Sequence, residues 1–243
     1  NPLILIPARL AATRLPNKPL ADIMGKPMIV RAYEQAKMSG YRVAVAAGDP
    51  EIVEVVTAAG GEAVLTDPAL PSGSDRIRVA ADLLDPSGEH DTLINVQGDM
   101  PFASPKLAQL CVELMQEQPS CDIATLVGLA MPEEYANPDV VKAVLALDAS
   151  GQKGRALYFT RSTLYGDAPI WRHIGVYGYR REALNRFCAA PPSPLEKREK
   201  LEQLRALWHG HRIAVHVAPH APGPGVDTPE DLARVQALFA QAA

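Results

Sequence analysis

The sequence predicts an α/β fold with a mostly parallel sheet and an antiparallel extension in the second half of the chain. Over residues 1–116, short apolar runs typical of buried strands alternate with segments of helical periodicity. This alternation indicates parallel βαβ units joined by right-handed crossovers. Beyond residue 120, strand-like runs follow one another with little helix between them, and that pattern favours antiparallel pairing.

The elements of the first half are defined by apolar runs and by the residues that flank them. Residues 3–6 are consecutive apolar residues, as in a strand buried on both faces. Pro27 suits a first helical position, Gly40 suits a helix end and Ser74 suits a helix N-cap. The predicted strands are 3–6, 42–47, 62–66 and 92–97, and the predicted helices are 28–38, 50–59, 74–84 and 104–116.

The second half contains strand-like runs and two helices. The helix predicted over 195–208 carries Leu201, Leu204 and Trp208 on one face, and its charge run at 196–200 is interpreted as a solvated surface. A terminal helix is predicted over 228–241. The predicted strands are 122–127, 140–147, 156–160, 174–179 and 212–217. Because no repeat or low-complexity linker divides the chain, residues 1–243 are interpreted as a single domain.

Composition excludes several classes of protein. The 243 residues include 24 Lys and Arg against 28 Asp and Glu, a net charge of −4, whereas binding to duplex nucleic acid favours a basic surface. No apolar run approaches the roughly 18 residues typical of a membrane-spanning helix. Cys111, Cys121 and Cys188 fit neither a disulfide framework nor a zinc-ligand pattern. We therefore expect a cytoplasmic protein that binds neither nucleic acid nor a membrane.

The loop after the first strand is rich in cations. Arg9, Arg14 and Lys18 lie within residues 7–19, and ligands of open α/β sheets bind beyond the carboxyl ends of the strands. Arginine grips phosphate oxygens in pairs and lysine supplies a point charge, so the loop suits a triphosphate. The segment contains no glycine and is therefore not a Walker loop. The alternative interpretation is a solvated basic turn.

Two aspartates occupy positions suited to a metal ion. Asp99 follows Gly98 just beyond a predicted strand, and Asp227 precedes Thr228, which can itself cap the terminal helix. Carboxylates without a His or Cys cluster point to Mg²⁺ rather than zinc. The alternative for each aspartate is an ordinary turn or capping role.

Three further groups of polar residues are candidates for ligand contacts. The turn 72–76 carries hydroxyl groups that suit a base or a ribose, although the pattern equally fits a helix cap. His173 and Tyr177 share one face of a strand, and with Arg161 they suit a small acidic, hydroxylated ligand. The alternative is a half-exposed strand with a satisfied histidine. Glu202 and Gln203 flank an apolar helix face and point either into a cleft or into solvent.

Taken together, these motifs resemble the 3-deoxy-manno-octulosonate cytidylyltransferase family, also called CMP-Kdo synthetases. The match covers nearly the whole chain in register. The matching stretches are residues 7–9, 13–16, 18–20, 25–27, 95–99, 172–175, 192–196, 201–205 and 225–232.

The resemblance implies a reaction and a fold. CTP and the acid sugar 3-deoxy-D-manno-octulosonate (Kdo) would give CMP-Kdo and pyrophosphate with Mg²⁺, supplying lipopolysaccharide biosynthesis. The implied fold is a nucleotidyltransferase (Rossmann-like) three-layer sandwich, and the implied assembly is a homodimer. Residues 1–130 would mainly bind CTP, and residues 131–225 would mainly serve sugar binding and dimerisation.

The resemblance also assigns roles to individual residues. Asp99 and Asp227 would bind the metal and act in catalysis together with Arg14 and Lys18. The implied nucleotide-binding residues are Ala8, Arg9, Arg14, Lys18, Ser72, Gly73, Ser74, Arg76 and Gln97. The implied sugar-binding residues are Arg161, His173, Tyr177, Glu202 and Gln203.

The chain departs from the family pattern at several positions. Ala12 stands where the family often has Ser, Asn17 where Gly is common, and Met100 where Glu is usual. None of these changes removes a metal ligand or a triphosphate-binding cation that the resemblance implies. Two alternatives stay open: a cytidylyltransferase for a related acid sugar such as 8-amino-Kdo or a sialic acid, and a non-catalytic nucleotide-binding protein.

Overall fold

The computed structural model of the chain describes residues 1–11, 14–220 and 222–242 and has an α/β fold. It divides into two compact units. The first comprises Asn1–Ala108 together with Pro222–Ala243, and the second comprises Gln109–Ala221. The departure noted at Ala12 lies outside the described residues.

The first unit is organised around parallel strands. Residues 3–6 of the first strand are completely buried, because neighbouring strands flank it on both sides. The strands are β1 (Pro2–Ala8), β2 (Asp22–Ile23), β3 (Lys26–Pro27), β4 (Arg42–Ala47), β5 (Ala63–Leu65) and β6 (Thr92–Asn95). β4 and β6 pair with β1 in parallel, β5 pairs with β4 in parallel, and β2 and β3 form a separate antiparallel pair.

Helices connect the parallel strands, as the alternation of periodicities predicted. They are α1 (Met28–Lys37), α2 (Pro50–Ala58) and α3 (Gly73–Leu84), and a short 3-10 helix covers Lys18–Leu20. Helix α4 (Pro105–Glu117) follows β6, and its residues from Gln109 onward belong to the second unit. The N-cap of α3 is Ser72, whose hydroxyl accepts a hydrogen bond from the backbone N–H of Asp75 at 3.2 Å. The expectation that Ser74 caps this helix is therefore wrong, since Ser74 lies buried in its first turn.

The second unit is mainly antiparallel. Its strands are β7 (Ile123–Leu129), β8 (Lys142–Leu147), β9 (Lys153–Thr160), β10 (Trp171–Arg180) and β11 (Ile213–Val217). β7 pairs with β10 in antiparallel and with β11 in parallel, while β9 pairs with both β8 and β11 in antiparallel. Its helices are α5 (Arg181–Ala189), α6 (Pro194–Glu199) and α7 (Gln203–Trp208).

The end of the described chain returns to the first unit. Helix α8 (Pro229–Ala242) contributes Val235 to a buried cluster with Ile23 and Met28. Phe239 of the same helix stacks on Phe102 with ring centroids 4.1 Å apart. This packing places the segment that precedes α8 beside the loop that follows β6.

The structure differs from the helix predicted over 195–208 in three respects. It is two helices, because Lys200 adopts a left-handed conformation with φ of 55° that ends α6. The charge run is not wholly solvated, since Glu196 is buried and pairs with Arg205. Trp208, expected on the apolar face with Leu201 and Leu204, is 54% exposed.

Helix α5, the β2–β3 pair and the 3-10 helices were not predicted. β2 and β3 have only two residues each, too few for periodicity to reveal. Within the part of the chain that the structure describes, no helix is long and apolar enough to cross a membrane.

Candidate active site

Three segments of the first unit bring opposite charges together at one point. Lys18 begins the 3-10 helix, Asp99 follows β6 and Asp227 precedes α8. The ammonium of Lys18 donates to Oδ2 of Asp99 at 2.8 Å and to Oδ1 of Asp227 at 3.1 Å. Arg14 approaches the same Asp227 oxygen at 3.3 Å. Four residues implied to act in catalysis therefore lie in direct contact.

Backbone geometry explains how these side chains reach one another. The N–H of Val226 donates to the carbonyl of Asp99 at 2.9 Å, which ties the two aspartate-bearing loops together. Asn17 adopts φ of 55°, in the left-handed region that favours glycine and tolerates asparagine. This turn immediately precedes Lys18, and asparagine can keep the backbone that the glycine expected here from the resemblance would adopt.

Gly98 allows the loop that carries Asp99 to lie close to β1. A Cβ atom at this position would lie 3.2 Å from both the carbonyl oxygen of Pro7 and the Cδ1 atom of Ile29. Both contacts are tighter than side-chain packing normally allows, so glycine keeps the loop after β6 against β1.

Lys18 stays charged in this position. Burial disfavours the ammonium form, but attraction to Asp99 and then to Asp227 outweighs it, so the pKa of Lys18 is raised above its usual value. The cation offsets the repulsion between the two carboxylates. Among the described residues, no group of three or more His, Cys, Asp or Glu side chains could hold a metal ion. Two carboxylates completed by phosphate oxygens and water are nevertheless a donor set that Mg²⁺ accepts.

A pocket of about 160 Å³ lies at the carboxyl end of β1. Six of the nine implied nucleotide-binding residues line it, together with Pro7 and Leu70; these six are Ala8, Arg9, Ser72, Gly73, Arg76 and Gln97. Of the others, Ser74 is buried in α3, and Arg14 and Lys18 belong to the charged cluster at Asp227.

Arg76 lines the pocket but also makes hydrogen bonds within the protein. Its Nη1 atom donates to the hydroxyl of Thr66 at 2.6 Å and to the carbonyl of Asp67 at 3.1 Å. Burial first, and then the charge of Arg9, lower the pKa of Arg76. Arg76 thus supports the wall of the pocket, with part of its hydrogen-bonding capacity already used. In the same way, Ser72 uses its hydroxyl to cap α3.

Sequence reasoning missed two residues that shape this pocket. Gly48 lies so close to the pocket wall that a Cβ atom there would be 2.8 Å from Nη1 of Arg76 and 3.1 Å from Cβ of Arg9. The carboxylate of Asp49 accepts the N–H of Leu10 at 2.7 Å and so holds the loop after β1. The Asp49-Pro50 pair is typical of a helix start. That pattern gives no indication that Asp49 also contacts the loop after β1.

The five implied sugar-binding residues all belong to the second unit. The rings of His173 and Tyr177 lie 5.3 Å apart, and the charge of Glu202 contributes to raising the pKa of Tyr177, after burial and Tyr179. Gln203 is buried. The guanidinium of Arg161 donates to the carbonyls of Pro138 and Glu199.

His173 and Tyr177 form a neutral pair. Burial lowers the pKa of His173 to about 4 and raises the pKa of Tyr177 well above its usual value. The side chain of Thr125, which sequence reasoning missed, lies 2.9 Å from Nε2 of His173. The register between β10 and β7 shifts between Ile174 and Tyr177. Simple alternation along β10 is therefore broken, although the two rings still meet.

Comparison with known proteins identifies the family. The family model described as Cytidylyltransferase matches residues 3–213. A 3-deoxy-manno-octulosonate cytidylyltransferase of Parvibaculum lavamentivorans is 54% identical, over 99% of this chain and 93% of the relative. One of Rhodospirillum centenum is 53% identical, over 98% of this chain and 93% of the relative.

A solved structure agrees. It is that of a CMP:2-keto-3-deoxy-manno-octonic acid synthetase complexed with CTP, and it is 38% identical to this chain. It matches with a TM-score of 0.91 and covers 100% of this chain and 99% of its own. The chain therefore belongs to the cytidylyltransferase family and, within it, to the 3-deoxy-manno-octulosonate cytidylyltransferases.

Proposed function

We propose that this chain transfers the cytidylyl group of CTP to 3-deoxy-manno-octulosonate, giving CMP-Kdo and pyrophosphate. The observation that carries the proposal is the convergence of Asp99, Asp227 and Lys18 at one point of the first unit. Two carboxylates and a cation at one point suit nucleotidyl transfer, because the reaction develops negative charge on phosphate oxygens. The product is an activated sugar donor of the kind that lipopolysaccharide assembly consumes.

The nucleotide is assigned to the first unit. The pocket beside β1 would take the cytidine, with Ala8, Gln97 and the turn 72–76 around it. Arg9 would reach the phosphates from the pocket wall. Arg14 and Lys18 would hold the β- and γ-phosphates and then the departing pyrophosphate, since both are cations close to Asp227.

Mg²⁺ is the metal that this donor set suits. Asp99 and Asp227 would hold it, and the structure supports the assignment because both carboxylates already face a single cation, the ammonium of Lys18. When bound, the ion would lower the pKa of the attacking hydroxyl and neutralise charge on the phosphate oxygens.

The acid sugar is assigned to residues of the second unit: Arg161, His173, Tyr177, Glu202 and Gln203. Arg161 would supply positive charge, and His173 would bind as a neutral imidazole because its pKa is about 4. In the reaction, the anomeric 2-hydroxyl oxygen bonds to the α-phosphorus and its proton passes to solvent. The bond from the α-phosphorus to the oxygen bridging to the β-phosphate breaks, and pyrophosphate leaves with the electron pair.

We propose the finer fold and assembly on the same basis. The parallel pairing of β5, β4, β1 and β6 and the antiparallel pairs of the second unit support a nucleotidyltransferase-type sandwich. The exposed apolar side chains of Leu129 and Met131 support a homodimer formed through the second unit. Light scattering of the purified chain tests the dimer, and a monomer at micromolar concentration would contradict it.

Pyrophosphate release from CTP and Kdo in the presence of Mg²⁺ tests the function. Asp99→Ala and Asp227→Ala should each lower kcat by about a hundredfold or more. Asp82→Ala, on the exposed side of α3, is the matched control and should leave turnover unchanged. Near-normal turnover by Asp99→Ala at saturating Mg²⁺ would overturn the assignment.

The same assay separates the alternatives. Kdo, 8-amino-Kdo and N-acetylneuraminate are offered under identical conditions, and kcat/KM should be highest with Kdo. A higher value with either competitor would identify a different acid sugar as substrate. CTP binding measured by calorimetry without turnover of any sugar would identify a non-catalytic nucleotide-binding protein.

A further inference from the structure

The second unit contains a lysine that is buried without a carboxylate partner. Lys142, the first residue of β8, is 0% exposed, and no acidic side chain among the described residues lies within ion-pair distance of it. Fully buried lysines are rare unless paired, because removing an ammonium from water is costly. Burial and then the charge of Arg161 lower the pKa of Lys142, while Glu199 acts in the opposite direction. A lysine buried despite this desolvation cost indicates a functional role.

The ammonium of Lys142 connects two separate segments. It donates to the carbonyl of Asn137, in the segment before β8, at 2.8 Å. It also donates to the carbonyl of Arg161, just beyond β9, at 2.9 Å. Arg161 in turn donates from Nη1 to the carbonyl of Pro138 at 2.9 Å. The two cations therefore hold the same stretch of backbone from two sides.

Glu199 completes the arrangement around Arg161. Its carboxylate accepts the backbone N–H of Arg161 at 2.9 Å and the hydroxyl of Thr160 at 3.0 Å. Its carbonyl accepts Nε of Arg161 at 3.1 Å. The backbone N–H, the carbonyl, Nε and Nη1 of Arg161 are thus all held. Among the described residues no group binds its Nη2 atom, and that nitrogen is left for a ligand.

We propose that Lys142 and Glu199 are positioning residues that fix the guanidinium of Arg161 for contact with the acid sugar. The inference rests on the proposed function, which assigns Arg161 to the sugar site. A guanidinium fixed by backbone carbonyls loses little conformational entropy when it binds a ligand, and a displacement of about 1 Å can cost about a hundredfold in rate. Lys142 contributes without touching the sugar, through the carbonyl of Arg161.

Steady-state kinetics of the full chain test the proposal. Lys142→Met removes the ammonium and keeps the length of the side chain. It should raise KM for Kdo by about tenfold or more and leave KM for CTP unchanged. Glu199→Gln should act in the same direction by several fold, and it carries the test if circular dichroism shows that Lys142→Met does not fold. Lys153→Met, which breaks a surface ion pair with Glu117 in the same unit, is the matched control and should change neither KM.

A double-mutant cycle separates positioning from a merely structural role. In an Arg161→Met background, Lys142→Met and Glu199→Gln should cause no further rise in KM for Kdo. Full additional effects in that background, or equal rises in both KM values, would overturn the proposal. So would an unchanged KM for Kdo in folded Lys142→Met while Arg161→Met raises it. If Arg161→Met itself leaves KM for Kdo unchanged, the placement of the sugar site in the proposed function is wrong as well.

Discussion

The ammonium of Lys18 lies 2.8 Å from Oδ2 of Asp99, across 81 positions of sequence. The same ammonium also contacts Asp227, so one lysine serves as counter-ion to both carboxylates. The side chain of Lys18 is only 18% exposed, which limits screening of the attraction by solvent. Lys18 thus keeps the two acidic loops together.

Replacing Lys18 by Met should destabilise the protein most when no divalent cation is present. The variant leaves Asp99 without its counter-ion and Asp227 with Arg14 alone, and a loss of about 1–3 kcal/mol is expected. Mg²⁺ should then raise the melting temperature of Lys18→Met more than that of the wild type. Thermal denaturation in EDTA measures the loss of stability, and repeating it in Mg²⁺ measures the rise in melting temperature. Lys26→Met, which breaks an exposed pair with Glu34, is the control; equal Mg²⁺ effects in all three proteins would contradict the idea.

His173 should make stability fall as the solution becomes acidic. Its folded-state pKa of about 4 lies below its ordinary value of 6.5. The unfolded chain therefore takes up this proton first as pH falls. Above about pH 6.5 the group has no effect on the free energy of unfolding. As the pH falls from 6.5 to 4, the group lowers that free energy by up to about 3 kcal/mol.

The measurement compares urea denaturation of wild type and His173→Gln at pH 7.5 and pH 5. The variant should lose less stability between the two pH values than the wild type does. His209→Gln removes an exposed histidine of the same unit and is the control, with a pH dependence like that of the wild type. If His173→Gln also behaves like the wild type, burial of a neutral imidazole is not the cause.

Glu196→Gln should destabilise the second unit. Glu196 accepts two hydrogen bonds from Arg205 and, through its other contacts, completes a capping box with Ser193. Both charged side chains are about 10% exposed, and breaking a buried pair leaves Arg205 without its carboxylate. A loss of about 3 kcal/mol is expected in chemical denaturation. Lys197→Gln, its exposed neighbour, should change stability by less than about 0.5 kcal/mol; similar losses in both variants would contradict the burial argument.

Gly48→Ala should weaken CTP binding. The added methyl group would lie 2.8 Å from Nη1 of Arg76 and 3.1 Å from Cβ of Arg9, so it must displace side chains that line the pocket proposed to take the cytidine. We expect KM for CTP to rise about tenfold with little change in KM for Kdo. Gly128→Ala on β7 is the control, because its nearest contacts of 3.7 Å are ordinary packing. An unchanged KM for CTP in Gly48→Ala would show that the side of the pocket formed by Arg9 and Arg76 does not contribute to CTP binding.

The parallel part of the fold could be predicted because its signals are local. An uninterrupted apolar run such as 3–6 needs strands on both sides, and Gly40 and Gly60, both at positive φ, end helices as their lack of a side chain suggests. The position of Asp99 beyond a strand was predicted by the same logic. That Lys18 would lie between Asp99 and Asp227 could not be predicted, because it depends on how distant loops fold together.

The errors arose where tertiary contacts override local pattern. The run 196–200 looks like a solvated helix face, yet the pairing of Glu196 with Arg205 buries one of its charges. The left-handed Lys200 then ends the helix at a residue that helical propensity would favour. Lys142 carries no sequence signal of burial either, since a lysine at the start of a strand normally reaches solvent.

The first unit is discontinuous in sequence, because Pro222–Ala243 joins Asn1–Ala108. Asp227 therefore leaves the ribosome more than a hundred residues after Asp99, once all of the second unit has been synthesised. During translation, a nascent chain that already displays Lys18 and Asp99 still lacks the second acidic group. A chain truncated anywhere before residue 227 would lack this second carboxylate, so it should not catalyse the transfer proposed above.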